Sequence, residues 1–259
     1  MSHGDRPLLL ANAWDHASGA ALAARGFAAI GTTSLGVAAA AGLPRRSRGH
    51  PRADPGPRPR PGPSPGAGQL GRRGRLRRRP GGGRRAGGRA LDAGAAGINL
   101  EDGRPDGSLV PTARQCEVIT AVKERAPELF VNARTDTHWV TLGSPSGPLP
   151  GTVERAEAYQ GAGADGVFVP GVGDAGEIGA LVRALDVPLN VLFTPGGRTF
   201  EELADLGVGR VSCGSLLYRA ALHRAVEPAW GIGHPGAPEP GIPGYARTAA
   251  LAEAFTGRH

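Results

Sequence analysis

Gly97-Ile98-Asn99-Leu100-Glu101-Asp102 is a short apolar run closed by two adjacent acids, and Leu129-Phe130-Val131-Asn132-Ala133-Arg134-Thr135-Asp136 repeats the design with an arginine near its end. Between them Ala113 to Arg125 has the length and polar–apolar spacing of a helix. Short apolar runs separated by helix-length stretches are the mark of parallel strands, which need a crossover to return to the same edge and are buried on both faces. The unit is strand, helix, strand, and the polar residues stand where each strand stops.

Working outward, the same alternation recurs. Upstream, Pro7 to Asp15 and Ala28 to Ser34 read as strands with a helix at His16 to Arg25 between them. Downstream, Gly166 to Gly171, Pro188 to Phe193 and Gly209 to Gly214 read as strands, preceded by helical stretches such as Thr152 to Gln160 and Phe200 to Leu206. The pattern predicts an α/β fold, a (β/α)8 TIM barrel forming a single domain over 1–259. Such a barrel needs eight strands, and the sequence offers one fewer.

The gap falls on residues 45–89, which hold 15 of the 30 basic residues and one of the 23 acids, Asp54, so the segment carries +14 and the rest of the chain −7. Rich in Arg, Pro and Gly and almost without branched apolar side chains, it supports neither a buried strand nor a helix, and reads as disordered low-complexity sequence. The expectation is a barrel whose third strand and flanking helices are replaced by this segment, with 225–259 as a C-terminal extension, Gly- and Pro-rich through Gly244 and helical from Thr248 to Phe255. The overall charge of +7 therefore describes one insert rather than a basic protein.

At 259 residues and 40% hydrophobic content the chain can bury the core of one large domain. Cys116 and Cys213 form no C-x-x-C pair, which excludes a disulfide framework and a zinc signature and fits a reducing cytoplasm. No stretch has the apolar length of a membrane span, nor the start the pattern of a signal peptide, so no membrane partner is expected.

In parallel barrels the carboxyl ends of the strands build the active site. Thr32, Thr33 and Ser34, then Glu101 and Asp102, then Asn132, Arg134 and Asp136, then Asn190 all stand at or near such ends, which predicts one shared pocket. Paired acids closing an apolar strand suit a hard cation, or else cap a loop. Arg134 falls on the same strand face as Asn132 and can clamp a carboxylate or phosphonate through two hydrogen bonds, or pair with Asp136 or Glu101. Thr33 and Ser34 can donate to an oxyanion or cap the loop they begin. A buried, hydrogen-bonded role would also explain Asn190, and His138 shows no partner in the sequence.

LLLANAWDHASGAALAARGFAAIGTTSLGVAAAAGLP, LDAGAAGINLEDG, FVNARTD, GADGVFVPG and LGVGRVSCGSLLYRAAL together cover most of the chain outside 45–89. In order and spacing they resemble the isocitrate lyase/phosphoenolpyruvate mutase family, in particular its phosphonomutase-like branch. The resemblance implies a Mg2+-dependent lyase or mutase that makes or breaks C–C or P–C bonds of small 2-oxo or hydroxy acids through an enolate-like intermediate. It implies Glu101 as a metal residue acting through water with Asp102 supporting it, Arg134, Thr33 and Ser34 as catalytic residues, and Asn132 and Asn190 as substrate-binding residues. A homo-oligomer also follows from the resemblance alone.

Family members carry on the third strand an Asp-x-Glu-Gly-Gly-Tyr/Phe-Gly-Asp-Asp-Pro run that supplies the acidic metal site; here Gly71 to Gly81 reads GRRGRLRRRPG. If each true codon takes the last two bases of one written codon and the first of the next, with Arg as CGN, Gly71 permits Asp, Arg73 Glu, Gly74 and Arg75 Gly, and Leu76 Phe or Tyr. Arg77 then permits Gly, Arg78 and Arg79 Asp, and Pro80 Pro, so one shifted frame recovers the whole run. The segment reads as frameshifted, and the chain as written is expected to be impaired and poorly folded. The Lys-x-Cys-Gly-His motif of isocitrate and methylisocitrate lyases is not found, which leans away from those enzymes. Two other classes remain: a barrel that binds nucleic acid through the Arg-rich insert, disfavoured because 45–89 has no Phe, Tyr or Trp to stack on bases, and an inactive barrel remnant.

Overall fold

The structure, a computed structural model, describes residues 6–42, 94–140, 148–233 and 248. Strands β1 (Leu8–Ala13), β2 (Ala29–Thr32), β3 (Gly97–Glu101), β4 (Phe130–Arg134), β5 (Gly166–Val169), β6 (Leu189–Leu192) and β7 (Arg210–Ser212) form one parallel sheet. Helices α1 (His16–Arg25), α2 (Ser34–Ala40), α3 (Thr112–Arg125), α4 (Thr137–Val140), α5 (Leu149–Gly161), α6 (Ala175–Ala184), α7 (Phe200–Asp205) and α8 (Leu216–Gly233) alternate with them.

The seven strands run in the order β2-β1-β7-β6-β5-β4-β3. Because β1 pairs with both β2 and β7, the sheet curls round in chain order and meets itself at its first and last strands. Among the described residues its two edges are β2 and β3, the strands on either side of the Arg-rich segment. This is the barrel-like parallel fold expected from the sequence. The replaced third strand, the low-complexity segment 45–89 and the helix at Thr248 to Phe255 lie outside the described residues, apart from Thr248.

Alternation along the strands separates two environments. Val131 and Ala133 of β4 pack outward on Ile119 and Val122 of α3 and on Tyr159 of α5. Val167 and Val169 of β5, Leu189 and Val191 of β6 and Val211 of β7 pack with Ile178 and Leu181 of α6 and Leu203 of α7. The intervening residues, among them Asn99, Glu101, Phe130, Asn132, Arg134, Phe168, Asn190 and Arg210, therefore face the interior of the curled sheet. Replacing Ile178 with Ala, where the side chain is wholly buried, should cost about 2–5 kcal/mol of stability by urea unfolding.

Local signals account for the element ends. Asp15 caps α1 by accepting from Ser18 N while Ser18 returns a bond to the Asp15 amide, and Gly26 ends the helix at φ 95, a conformation that favours glycine. Thr199 and Glu202 form the same reciprocal cap on α7. The one clear difference from the sequence reading is at the chain's end, where α8 continues through Pro228 to Gly233, well into the stretch read as a Gly- and Pro-rich extension. Alanines and apolar side chains between Leu216 and Val226 carry the helix past a single proline, whose cost of about 3 kcal/mol is local. No helix among the described residues is long and apolar enough to cross a membrane.

Candidate active site at the strand ends

Glu101 and Arg134 are the last residues of neighbouring strands and stand opposite each other in the parallel register. Arg134 Nη1 lies 3.6 Å from Glu101 Oε2, and Arg134 Nε donates to Asp136 Oδ1 at 2.6 Å. The guanidinium is stacked against two rings, 5.0 Å from the Trp139 centroid and 5.4 Å from that of Phe168. Its third nitrogen, Nη2, is buried without a hydrogen-bond partner. The sequence left Arg134 between a substrate clamp and an ion pair with Asp136 or Glu101; the structure makes both ion pairs and still leaves one donor over. An unmet buried donor costs about 1–3 kcal/mol, a cost that an arriving acceptor removes.

Asp102 occupies a different place from Glu101. Wholly buried, it accepts at Oδ1 from the Asp136 amide at 2.9 Å and at Oδ2 from Tyr159 OH at 2.7 Å and Arg155 Nη1 at 3.2 Å. With both oxygens accepting hydrogen bonds it supports the strand ends from behind. Gly103, next in the chain, lies so close to Asp136 that a Cβ there would run into the Asp136 carboxylate, so the turn after β3 requires glycine.

The other residues singled out in the sequence sit at varied depths. Asn132 Nδ2 donates to Asn99 Oδ1 at 2.9 Å, leaving its own Oδ1 buried and unpaired. Asn190 is fully buried, and among the described residues neither polar atom of its carboxamide has a protein hydrogen-bond partner. Thr33 is the N-cap of α2 and its hydroxyl accepts from the Gly36 amide at 3.4 Å, the capping alternative; Ser34, the first residue of that helix, is exposed. The Thr33 hydroxyl is thus turned to its own helix, and the unpaired carboxamide of Asn190 makes no hydrogen bond to Arg134 or Glu101.

His138 does have partners. It sits in α4, the short helix that follows β4, with its Nε2 3.2 Å from Glu177 Oε2 and its Nδ1 3.4 Å from the Thr152 hydroxyl. Burial holds the imidazole below its ordinary range, opposed by the charge and hydrogen bond of Glu177. A histidine depressed in the folded state binds protons more weakly there than in the unfolded chain, so its contribution is complete above the unfolded value of about 6.5 and is lost as pH falls below it. Urea unfolding should therefore show stability dropping as pH falls below about 6.5, and His138→Gln should flatten that part of the profile.

Among the described residues no three acidic, histidine or cysteine side chains come together to hold a metal ion. Asp102 and Asp136 are already engaged, so the described side chains do not by themselves fit a Mg2+ site.

A parallel, curled sheet with a buried arginine and acids at its strand ends defines a barrel-like α/β fold with a candidate site at those ends. The phosphoenolpyruvate phosphomutase family model matches residues 1–51 and 83–232, and the chain belongs to that family. An uncharacterized protein of Mycobacterium tuberculosis is 37% identical over 229 residues, 88% of this chain and 86% of the relative. The 2-methylisocitrate lyase of Bacillus subtilis is 32% identical over 154 residues, 55% of this chain and 49% of the enzyme. The solved structure of a phosphonopyruvate hydrolase complexed with oxalate and Mg2+ shares the fold, with a TM-score of 0.70 at 18% identity over 97% of this chain and 92% of that one. The unmatched stretch, 52–82, falls within the Arg-rich segment.

Sequence reasoning missed Arg155, Tyr159, Trp139 and Phe168. A signal for the first two exists: Thr152, Arg155 and Tyr159 fall at helical spacing on one side of a helix, a polar stripe where α5 meets the strands.

Proposed function

We propose that the mouth formed by Arg134 and Glu101 receives the carboxylate of a small 2-oxo or hydroxy acid, in a lyase- or mutase-type reaction at a C–C or P–C bond. The observation that carries this reading is the buried, unpartnered Nη2 of Arg134, on a guanidinium already fixed by Asp136, Trp139 and Phe168. A guanidinium held in this way meets a carboxylate with little further ordering cost. As negative charge grows on an enolate-like species, a fixed cation beside it lowers the energy without reorganising. Asn132 and Asn190, with unpaired buried polar atoms facing the same interior, are assigned to the substrate's oxygens, and Ser34, exposed at the start of α2, to an oxyanion.

Mg2+ belongs to the same proposal in a restricted way. Glu101 would reach the ion through water with Asp102 behind it, and the remaining acids would come from the third-strand run that a shifted frame across 45–89 restores. The match to the family on both sides of 52–82 supports reading that segment as frameshifted. Saturation-transfer NMR with oxalate, pyruvate, glycolate and succinate tests the substrate class. The first three, each bearing an oxygen beside the carboxylate, should give signals, and succinate should give a weaker one; a preference for succinate would overturn the assignment.

A further inference from the structure

We propose that Tyr159 and Arg155, on the outer helix α5, are positioning residues for Arg134 and act on it through Asp102 and Asp136. The inference rests on the reading that Arg134 receives the substrate carboxylate. Three hydrogen bonds make the chain: Tyr159 OH to Asp102 Oδ2 at 2.7 Å, Asp136 N to Asp102 Oδ1 at 2.9 Å, and Arg134 Nε to Asp136 Oδ1 at 2.6 Å. Arg155 Nη1 joins at the first link, donating to Asp102 Oδ2 at 3.2 Å, the Val110 carbonyl at 2.9 Å and Tyr159 OH at 3.0 Å.

Asp102 works as a bracket between the helix and the site. It is wholly buried, and a carboxylate in that setting stays put only while each oxygen has a donor. Held by Tyr159 and Arg155, it presents Oδ1 to the Asp136 amide and so sets the turn that leaves β4. That turn aims the Asp136 side chain at Arg134 Nε, which fixes the plane of the guanidinium and the direction of Nη2. The Arg155–Asp102 and Arg134–Asp136 pairs are poor candidates for net stabilisation, because burying charges costs about as much as pairing them returns. Fixing one geometry is the better account of them. Burial, and then the charge of Asp102, push the Tyr159 phenol far above its ordinary range, so it remains a donor wherever the protein is folded.

A purely structural Tyr159 would act through its ring, which packs with Ile119, Val122, Val131 and Ala133. Tyr159→Phe keeps the ring and removes only the donor. The experiment measures oxalate affinity by isothermal titration together with the Arg134 Nε–H resonance in a 15N-labelled chain without ligand. Tyr159→Phe should weaken oxalate about tenfold, the effect of losing one hydrogen bond to a charged group, and should shift or broaden the Arg134 Nε–H signal. Wild-type values for both would overturn the positioning role. If Tyr159→Phe does not fold, Arg155→Met carries the test, since it keeps most of the stem and removes the nitrogen that reaches all three acceptors; a weakened affinity with a displaced Arg134 signal supports the role, and unchanged values overturn it. Failure of the underlying site reading looks different: the wild-type chain would not bind oxalate, or Arg134→Met would bind it as tightly as wild type.

Discussion

A gene whose reading frame is moved by one base across 45–89 should yield a chain that binds Mg2+ more tightly and turns over a 2-oxo or hydroxy acid faster than the chain as written. The shifted frame permits Asp at Gly71, Glu at Arg73 and paired Asp at Arg78 and Arg79, replacing a run of guanidinium groups that would repel a cation. It also removes most of a +14 charge from a chain otherwise at −7. A divalent cation acting on a substrate oxygen is worth several kcal/mol, so the expected difference in rate is on the order of 10³ or more. Titration with Mg2+ and turnover of a 2-oxo-acid panel check both halves. Equal Mg2+ affinity in the two chains, or an intact written frame in independent genomic reads, would count against the frameshift.

Arg134→Met should cost oxalate affinity about 30-fold or more, the loss expected when one side of a buried charged contact is truncated. The same change strips Asp136, whose side chain is 4% exposed, of its partner, at about 3–5 kcal/mol of stability. The two effects can be separated. Adding Asp136→Asn to Arg134→Met removes the stranded charge and should recover much of the stability by urea unfolding, while oxalate binding stays lost. Recovery of binding in the double variant would mean that Arg134 serves the fold and not the ligand.

The fold was legible because strand and helix periods differ and because short apolar runs closed by polar residues recur between helix-length stretches; Gly97 to Asp102 and Leu129 to Asp136 sit where the sequence placed them, give or take their ends. The gathering of polar residues at the strand ends was legible too, and Glu101 and Arg134 do end neighbouring strands opposite each other. What could not be read is which oxygen of which acid faces where. Glu101 and Asp102 look alike as neighbours in sequence, yet alternation sends one to the mouth and the other back toward Tyr159 and Arg155. Those two belong to a helix whose sequence reads as an ordinary amphipathic element, and their link to Arg134 exists only once α5 is packed on β4. Thr33 shows the opposite limit: a hydroxyl at a strand end serves as a helix cap or as an oxyanion donor, and only the bond to Gly36 shows which of these it is making.

The most direct test of the Arg134 mouth as an oxyacid site compares two planar ligands of the same shape, oxalate and its neutral diamide oxamide, by isothermal titration into the wild-type chain without added metal. Oxalate should bind one to one with a Kd of about 1 mM or tighter, and oxamide should bind at least tenfold more weakly. Equal affinity for the two, or no uptake of oxalate, would contradict the assignment of Arg134 Nη2 to a substrate carboxylate.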